Sequence, residues 1–134
     1  KEVQAEWEKN DVFKKSIETR EGCTPFVFFE GPPSANGMPG IHHVIARTLK
    51  DSINRYKTMK GFQVKRKAGW DTHGLPVELG VEKALGITKE DIGKTISVAE
   101  YNKHCRTDVM KFTKEWTDLT HKMGFLCSAS QSLQ

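Results

Sequence analysis

Between a short apolar run, Pro25-Phe-Val-Phe-Phe29, and a long periodic stretch lies a loop, Gly31 to His43, reading G-P-P-S-A-N-G-M-P-G-I-H-H. No other feature narrows the possible folds so far. From Gly40 to Lys60 the apolar residues Ile41, Val44, Ile45, Leu49, Ile53, Tyr56 and Met59 recur every three or four positions, which predicts an amphipathic helix that Gly61 ends. The order is therefore strand, glycine-rich loop, helix. Glycine lets a backbone approach a ligand closely, and a helix N-terminus offers N–H groups and a partial positive charge to an anion. His42 and His43 fall in the first turn. The stretch points to a phosphate-bearing substrate with imidazole beside it.

The loop is not a Walker A, because it lacks the closing Gly-Lys-Ser/Thr, and Pro32, Pro33 and Pro39 remove amide donors. Nor is it G-x-G-x-x-G. By itself it could be a tight connection and its histidines surface groups; together, at a strand-loop-helix mouth, the histidines read as donors to phosphate oxygens.

Phe62 to Ala68 alternates and leads into Gly69-Trp70-Asp71, predicting a second strand. Strand, helix, strand is a βαβ unit, and its parallel strands bring both carboxyl ends to one edge. The glycine-rich loop and the Asp71 segment must then be neighbours. The predicted fold class is α/β, the first half of a Rossmann-like nucleotide-binding fold with a long C-terminal helix. An amphipathic helix is expected from Glu2 to Ile17. Pro76 suits the start of a helix running to about Leu85, where Gly86 stops it. Thr88-x-x-Asp91 and Ser97-x-x-Glu100 have capping-box spacing. After the second, Tyr101, Cys105, Val109, Phe112, Trp116, Leu119 and Met123 step along one continuous helical stripe, with Phe112 and Trp116 in the core. The small, polar tail over 126–134 is expected to be unstructured, leaving 1–125 as one domain.

The chain opens on Lys1, which reads as a segment of a longer protein. No apolar run of membrane-spanning length and no charged-then-apolar leader occurs, so the expectation is a cytoplasmic protein without a membrane partner. Cys23, Cys105 and Cys127 are odd in number and widely spaced, which fits reduced thiols and neither a disulfide framework nor a zinc site. A net charge of +4 permits a nucleic-acid or nucleotide partner without requiring one. Arg55, Lys57, Lys60, Lys65, Arg66 and Lys67 form a basic group open to two readings, contact with tRNA phosphates or a solvated face.

The stretch from Phe28 through His43 resembles the first signature of class I aminoacyl-tRNA synthetases, usually written H-I-G-H. Gly31-Pro-Pro33 with Ala35-Asn-Gly37, joined to Lys67-Ala-Gly-Trp-Asp-Thr-His-Gly-Leu-Pro-Val-Glu78, is similar to the isoleucyl-tRNA synthetase family in particular. The likeness continues through Gly80-Val-Glu-Lys83, Gly86-Ile-Thr-Lys89 and Lys114-Glu-Trp116, covering nearly everything from Phe26 to Gly124. The resemblance implies ATP-dependent formation of isoleucyl-adenylate, with Mg²⁺ carried by ATP and no protein metal site, followed by transfer to tRNA-Ile in a monomeric full-length enzyme. It further implies that Gly31 and Pro32 line the amino-acid pocket with Trp70 at its edge, and that Asp71 holds the substrate ammonium. Asn36, Gly37 and Gly40 would border the nucleotide, and His43, with His42, would be the catalytic pair. Apart from the resemblance, Asp71 is an anion near an anion-binding helix end, which suits a zwitterion; the plainer reading is a helix or turn cap.

Two departures stand out. The motif here is Gly40-Ile-His-His43, so the first His of the pattern is Gly and its Gly is His42. On an ideal helix position 42 points well away from both 40 and 43, so His42 is not expected to stand in for the missing imidazole. No K-M-S-K-S-like segment is present, Lys57-Thr-Met-Lys60 being a helix end. Other readings are a valyl- or leucyl-type relative, a nucleotidyltransferase outside aminoacylation, and a non-catalytic module that binds tRNA or a partner. With strand edges and an apolar face uncovered, the isolated chain is expected to aggregate or be marginally stable and to adenylate poorly. A cooperative calorimetric melt accompanied by isoleucine-dependent pyrophosphate exchange would contradict this.

Overall fold

The computed structural model describes residues 1–125 and 127. Along the described residues run α1 (Glu2–Lys9), α2 (Val12–Glu18), α3 (Ile41–Met59), α4 (Leu75–Leu85), a 3-10 turn (Lys89–Asp91), α5 (Val98–Asp108) and α6 (Thr113–Met123). They gather into two compact units. Of the described residues, the first comprises 1–31, 40–69, 119–125 and Cys127; the second comprises 32–39 and 70–118. Apart from Cys127, the tail expected to be unstructured lies outside the described residues.

The second unit is built as an apolar core. Val77 and Val81, one turn apart on α4, are buried with Tyr101 and Val109, and α4 packs on α5. Full burial of side chains of this size stabilises by roughly 1.5–3 kcal/mol each. The Tyr101 hydroxyl reaches the Glu78 carbonyl at 3.5 Å. Burial, followed by the neighbouring Cys105 thiol, pushes the Tyr101 phenol up to about 12. The helix boundaries follow local chemistry: Pro76 lies in the first turn of α4, Gly86 at φ 66° caps its end, and the Glu100 N–H donates to Ser97 Oγ at 3.2 Å to open α5. Thr88 and Asp91 also pair, but they start only the 3-10 turn.

The single long C-terminal helix is corrected to two, α5 and α6, separated at residues 109–112. Neither glycine nor proline breaks it. Instead the Phe112 N–H is taken by the Ala35 carbonyl at 2.9 Å, and the Thr113 hydroxyl donates to the Met110 carbonyl at 3.0 Å. The stripe still turns inward, with Tyr101, Val109 and Trp116 all buried. The N-terminal helix is likewise two, α1 and α2, with a break where Asp11 takes a left-handed φ of 49°. Asp can take this conformation because short polar side chains tolerate the left-handed region better than most others.

The α/β expectation needs a larger correction. The described residues are mostly helical, and the runs Pro25–Glu30 and Phe62–Ala68 meet only at an isolated parallel bridge between Pro25 and Gln63. There the Phe26 N–H donates to the Gln63 carbonyl at 2.9 Å and the Gln63 N–H to Thr24 at 3.1 Å. Parallel pairing begins and does not propagate. Parallel strands persist where both faces are covered, whereas Phe29 is 90% and Val27 67% exposed.

The first unit also reverses the expected packing of α3. The apolar stripe Ile41, Ile45, Leu49, Ile53, Tyr56 and Met59 faces solvent, while Asn54 and Thr58 are buried on the other side of the helix. Among the described residues of this unit Val64 is the one buried hydrophobic residue, and buried polar side chains accompany it. Arg66 Nη2 donates to Thr58 Oγ1 at 2.8 Å, Arg20 Nε to the Thr58 carbonyl at 2.8 Å, and Thr58 Oγ1 to Asn54 at 2.7 Å. Arg55 pairs with Asp51 at 2.6 Å, reaches the Gly124 carbonyl at 2.5 Å and lies over the Trp7 ring. Lys57 sits between the Phe26 and Phe62 rings, 5.1 and 5.0 Å from their centroids. At the end of α3 the Gly61 and Phe62 amides bond back to Thr58 and Lys57, with Gly61 at φ 91° closing the turn.

Neither reading of the basic group therefore covers all of it. Arg66 is 8% exposed and structural, Arg55 and Lys57 are engaged internally, and Lys60, Lys65 and Lys67 are exposed. Truncating Arg66 to alanine removes buried hydrogen bonds and should destabilise the chain by about 2 kcal/mol, whereas Lys65→Ala should change it by less than about 0.5 kcal/mol. Urea denaturation followed by tryptophan fluorescence compares them, and equal effects would refute a structural role for the Arg66–Thr58 hydrogen bond.

Candidate functional site

The residues singled out by sequence divide between the units. Gly31, Gly40, His42 and His43 belong to the first; Pro32, Asn36, Gly37, Trp70 and Asp71 belong to the second.

In the second unit the loop 32–39 is fixed by its carbonyls. Ala35, fully buried, accepts from the Phe112 N–H, and the Gly37 carbonyl accepts from the Trp116 indole Nε1–H at 2.9 Å. The Asp71 N–H donates to the Pro33 carbonyl at 3.0 Å, so the loop and the Asp71 segment are neighbours, as the sequence requires. The Trp70 ring meets Trp116 edge-on at 6.2 Å. Trp70 is thus half-buried against the core, and Trp116 doubles as core residue and loop anchor. Asp71 Oδ1 receives the His73 N–H at 3.5 Å, the outer limit of a hydrogen bond. Turn capping therefore occupies little of this half-buried carboxylate, which remains suited to a cation.

In the first unit, α3 begins at Ile41 with Gly40 as its N-cap. Glycine has no capping side chain, and the cap comes from the other direction. The Gly40 N–H donates to His43 Nδ1 at 2.9 Å, the half of a capping box in which the third helical residue reaches back. With Nδ1 accepting, the neutral ring carries its proton on Nε2, the tautomer of a donor. Burial, and then the charges of His42, Arg47 and Lys50, hold the His43 pKa below its ordinary value. Arg47 is fixed by the Thr120 hydroxyl at 2.7 Å, and Lys50 pairs with Glu30.

His42 departs from expectation. Its ring does not point away but lies against His43, with centroids 3.8 Å apart and planes at 43°. A Cβ built on Gly40 would come within 2.9 Å of His42 Cε1. Side chains on a helix lean toward its N-terminus, and that tilt folds His42 back over the cap where ideal angular spacing had carried it away.

Among the described residues no three His, Cys, Asp or Glu side chains are grouped to hold a metal ion, and no helix is long and apolar enough to cross a membrane. Cys23, Cys105 and Cys127 form no disulfide. A cleft of about 200 Å³ in the first unit, lined by Trp7, Phe13, Thr120, Phe125 and Cys127 among others, contains none of the sequence-selected residues. Burial raises the Cys127 pKa, partly offset by Arg47.

Residues 2–132 match the model of class I tRNA synthetases (I, L, M and V), and the chain belongs to that family. Over 125 residues it is 80% identical to an isoleucine–tRNA ligase of Bacteroides fragilis and 76% identical to that of Bacteroides thetaiotaomicron, in each case 93% of this chain and 11% of the relative. An isoleucine–tRNA ligase of Porphyromonas gingivalis is 75% identical over 124 residues. The resemblance to isoleucyl-tRNA synthetases is borne out, and the chain spans about 11% of the length of these relatives.

The depressed His43 pKa carries a sign. Folding favours the neutral ring, so its contribution to stability is fully present above the unfolded value of about 6.5 and is lost as pH falls through the folded value. Protonating Nδ1 also removes the acceptor for the Gly40 N–H. An NMR titration should find His43 ionising below about 6.5 with the Gly40 amide shifting in step; a midpoint above that value would exclude the assigned hydrogen bond.

Proposed function

We propose that this chain is part of an isoleucine–tRNA ligase and supplies one portion of the site that joins isoleucine to ATP before transfer to tRNA-Ile. Membership of the family and 80% identity to a Bacteroides fragilis isoleucine–tRNA ligase carry the reading. Residues 1–125 would then belong to a catalytic domain whose Rossmann-like sheet the strand runs at Pro25 and Phe62 would join, in a cytoplasmic protein.

In this reading an isoleucine carboxylate oxygen forms a bond to the α-phosphorus of ATP. The bond from that phosphorus to the bridging oxygen breaks, and pyrophosphate leaves with the electron pair. Such a transfer needs alignment and charge stabilisation more than an acid or base. His43 donates from Nε2 to phosphate oxygen, its tautomer set by the Gly40 N–H at Nδ1. Asp71 holds the ammonium group, Gly31, Pro32 and Trp70 border the amino-acid side chain, and Asn36, Gly37 and Gly40 approach the nucleotide. Imidazoles and amide N–H groups suit phosphate and not Mg²⁺, a hard ion that takes oxygen ligands, so Mg²⁺ would arrive bound to ATP, where it would neutralise phosphate charge.

In the full-length protein, His43→Ala should lower kcat for isoleucine-dependent pyrophosphate exchange about a hundredfold, the loss of one donor worth about 3 kcal/mol. Asp71→Ala should chiefly raise the KM for isoleucine. Exchange driven equally well by valine, or unaffected by either substitution, would overturn the reading.

A further inference from the structure

The charge of the chain is unevenly placed. Between Asp51 and Asp71 lie Arg55, Lys57, Lys60, Lys65, Arg66 and Lys67 and no acidic residue, whereas the whole chain has 21 Lys and Arg against 17 Asp and Glu. Everything outside this stretch is therefore net negative, and the basic excess is local. The members of the group divide by what they touch. Arg55 is paired with Asp51, and Arg66 is buried with its guanidinium on the Thr58 hydroxyl. Lys57 is half-buried, its ammonium 5.1 and 5.0 Å from the Phe26 and Phe62 ring centroids. Lys60, Lys65 and Lys67 are exposed and make no ion pair with any described residue. Alternation along the extended run sorts them: Val64 and Arg66 are buried, so Lys65 and Lys67 share the outward face, about 7 Å apart along the chain. Lys60 also suits the C-terminal end of α3, but no described side chain answers Lys65 or Lys67.

We propose that Lys60, Lys65 and Lys67 form a docking strip for the phosphodiester backbone of RNA, which on the function given above is the tRNA to be charged. The identity of that RNA rests on the functional reading; the strip itself does not. Ammonium groups without acidic partners, in a stretch from which carboxylates are missing, complement a polyanion that repeats one negative charge per residue. Two lysines on one face of an extended run repeat their charge in the same linear fashion. Lysine is a point charge and lacks the planar fork with which arginine reads base edges, so the strip holds backbone and carries no sequence information. Lys57 adds a further charge, kept in place by its two rings. The net negative remainder of the chain repels the same polyanion and so turns it toward this surface. Formation of an adenylate from isoleucine and ATP needs no RNA, so the strip serves the transfer step and leaves the activation step alone.

The test measures, in the full-length protein, Kd for a tRNA-Ile transcript against salt concentration, beside isoleucine-dependent pyrophosphate exchange. Lys60→Gln, Lys65→Gln and Lys67→Gln combined should weaken binding at least about tenfold and reduce the slope of log Kd against log salt by about 2 to 3, a little under one unit per lysine. The kcat of exchange and its KM values for isoleucine and ATP should stay within about twofold of the parent. Arginine at the same three positions should keep the slope. A matched variant, Lys14→Gln, Lys111→Gln and Lys114→Gln, removes equal charge from lysines paired with Glu18, Asp108 and Asp118, and should leave the slope unchanged. An unaltered slope in the first variant, an equal loss in the matched one, or a parallel fall in exchange would each overturn the proposal. So would binding to phosphatidylserine vesicles that needs these lysines while tRNA binding does not. If the parent protein shows no isoleucine-dependent exchange, the functional reading fails instead, and the salt slope still decides whether the three lysines hold RNA.

Discussion

Thr58 is the point on which the first unit hangs. Its carbonyl takes Arg20, its hydroxyl takes Arg66 and gives its own proton to Asn54, all at hydrogen-bond distances below 3 Å. These groups are buried or half-buried, where an unmade hydrogen bond is expensive and a made one fixes geometry. The network explains why α3 turns its polar face inward.

The second unit is held by a different force. Val77, Val81, Tyr101, Val109 and Trp116 exclude water from its interior, and the loop 32–39 is fastened to that core by two carbonyls, one meeting a backbone amide and one an indole. Packing of this kind is non-directional, but the indole hydrogen bond is not. The Gly37 carbonyl is therefore held in one direction by the indole of a core residue.

The stripe on α3 shows where amphipathicity misleads. Periodicity announced that one face of this helix is apolar, and the face exists; the inference that it must be buried within these residues does not follow. Ile41, Ile45, Leu49 and Ile53 lie exposed, as do Val27 and Phe29. The parallel bridge at Pro25 and Gln63 stops after one pair for the same reason, since strands of this composition need cover on both sides.

Sequence alone determined the local events: the caps at Gly61, Gly86 and Ser97, the helices over most of their length, the inward stripe around Tyr101 and Trp116, and the family to which the signature blocks point. These depend on neighbours a few residues apart, whose geometry a linear pattern encodes. Tertiary structure decided what distant residues compete for. It broke the C-terminal helix where Ala35 captures the Phe112 amide, drew Arg66 inside, and folded His42 over Gly40. A hydrogen-bond donor or a vacant volume has no periodicity, so nothing in the order of residues announces which partner will reach it first.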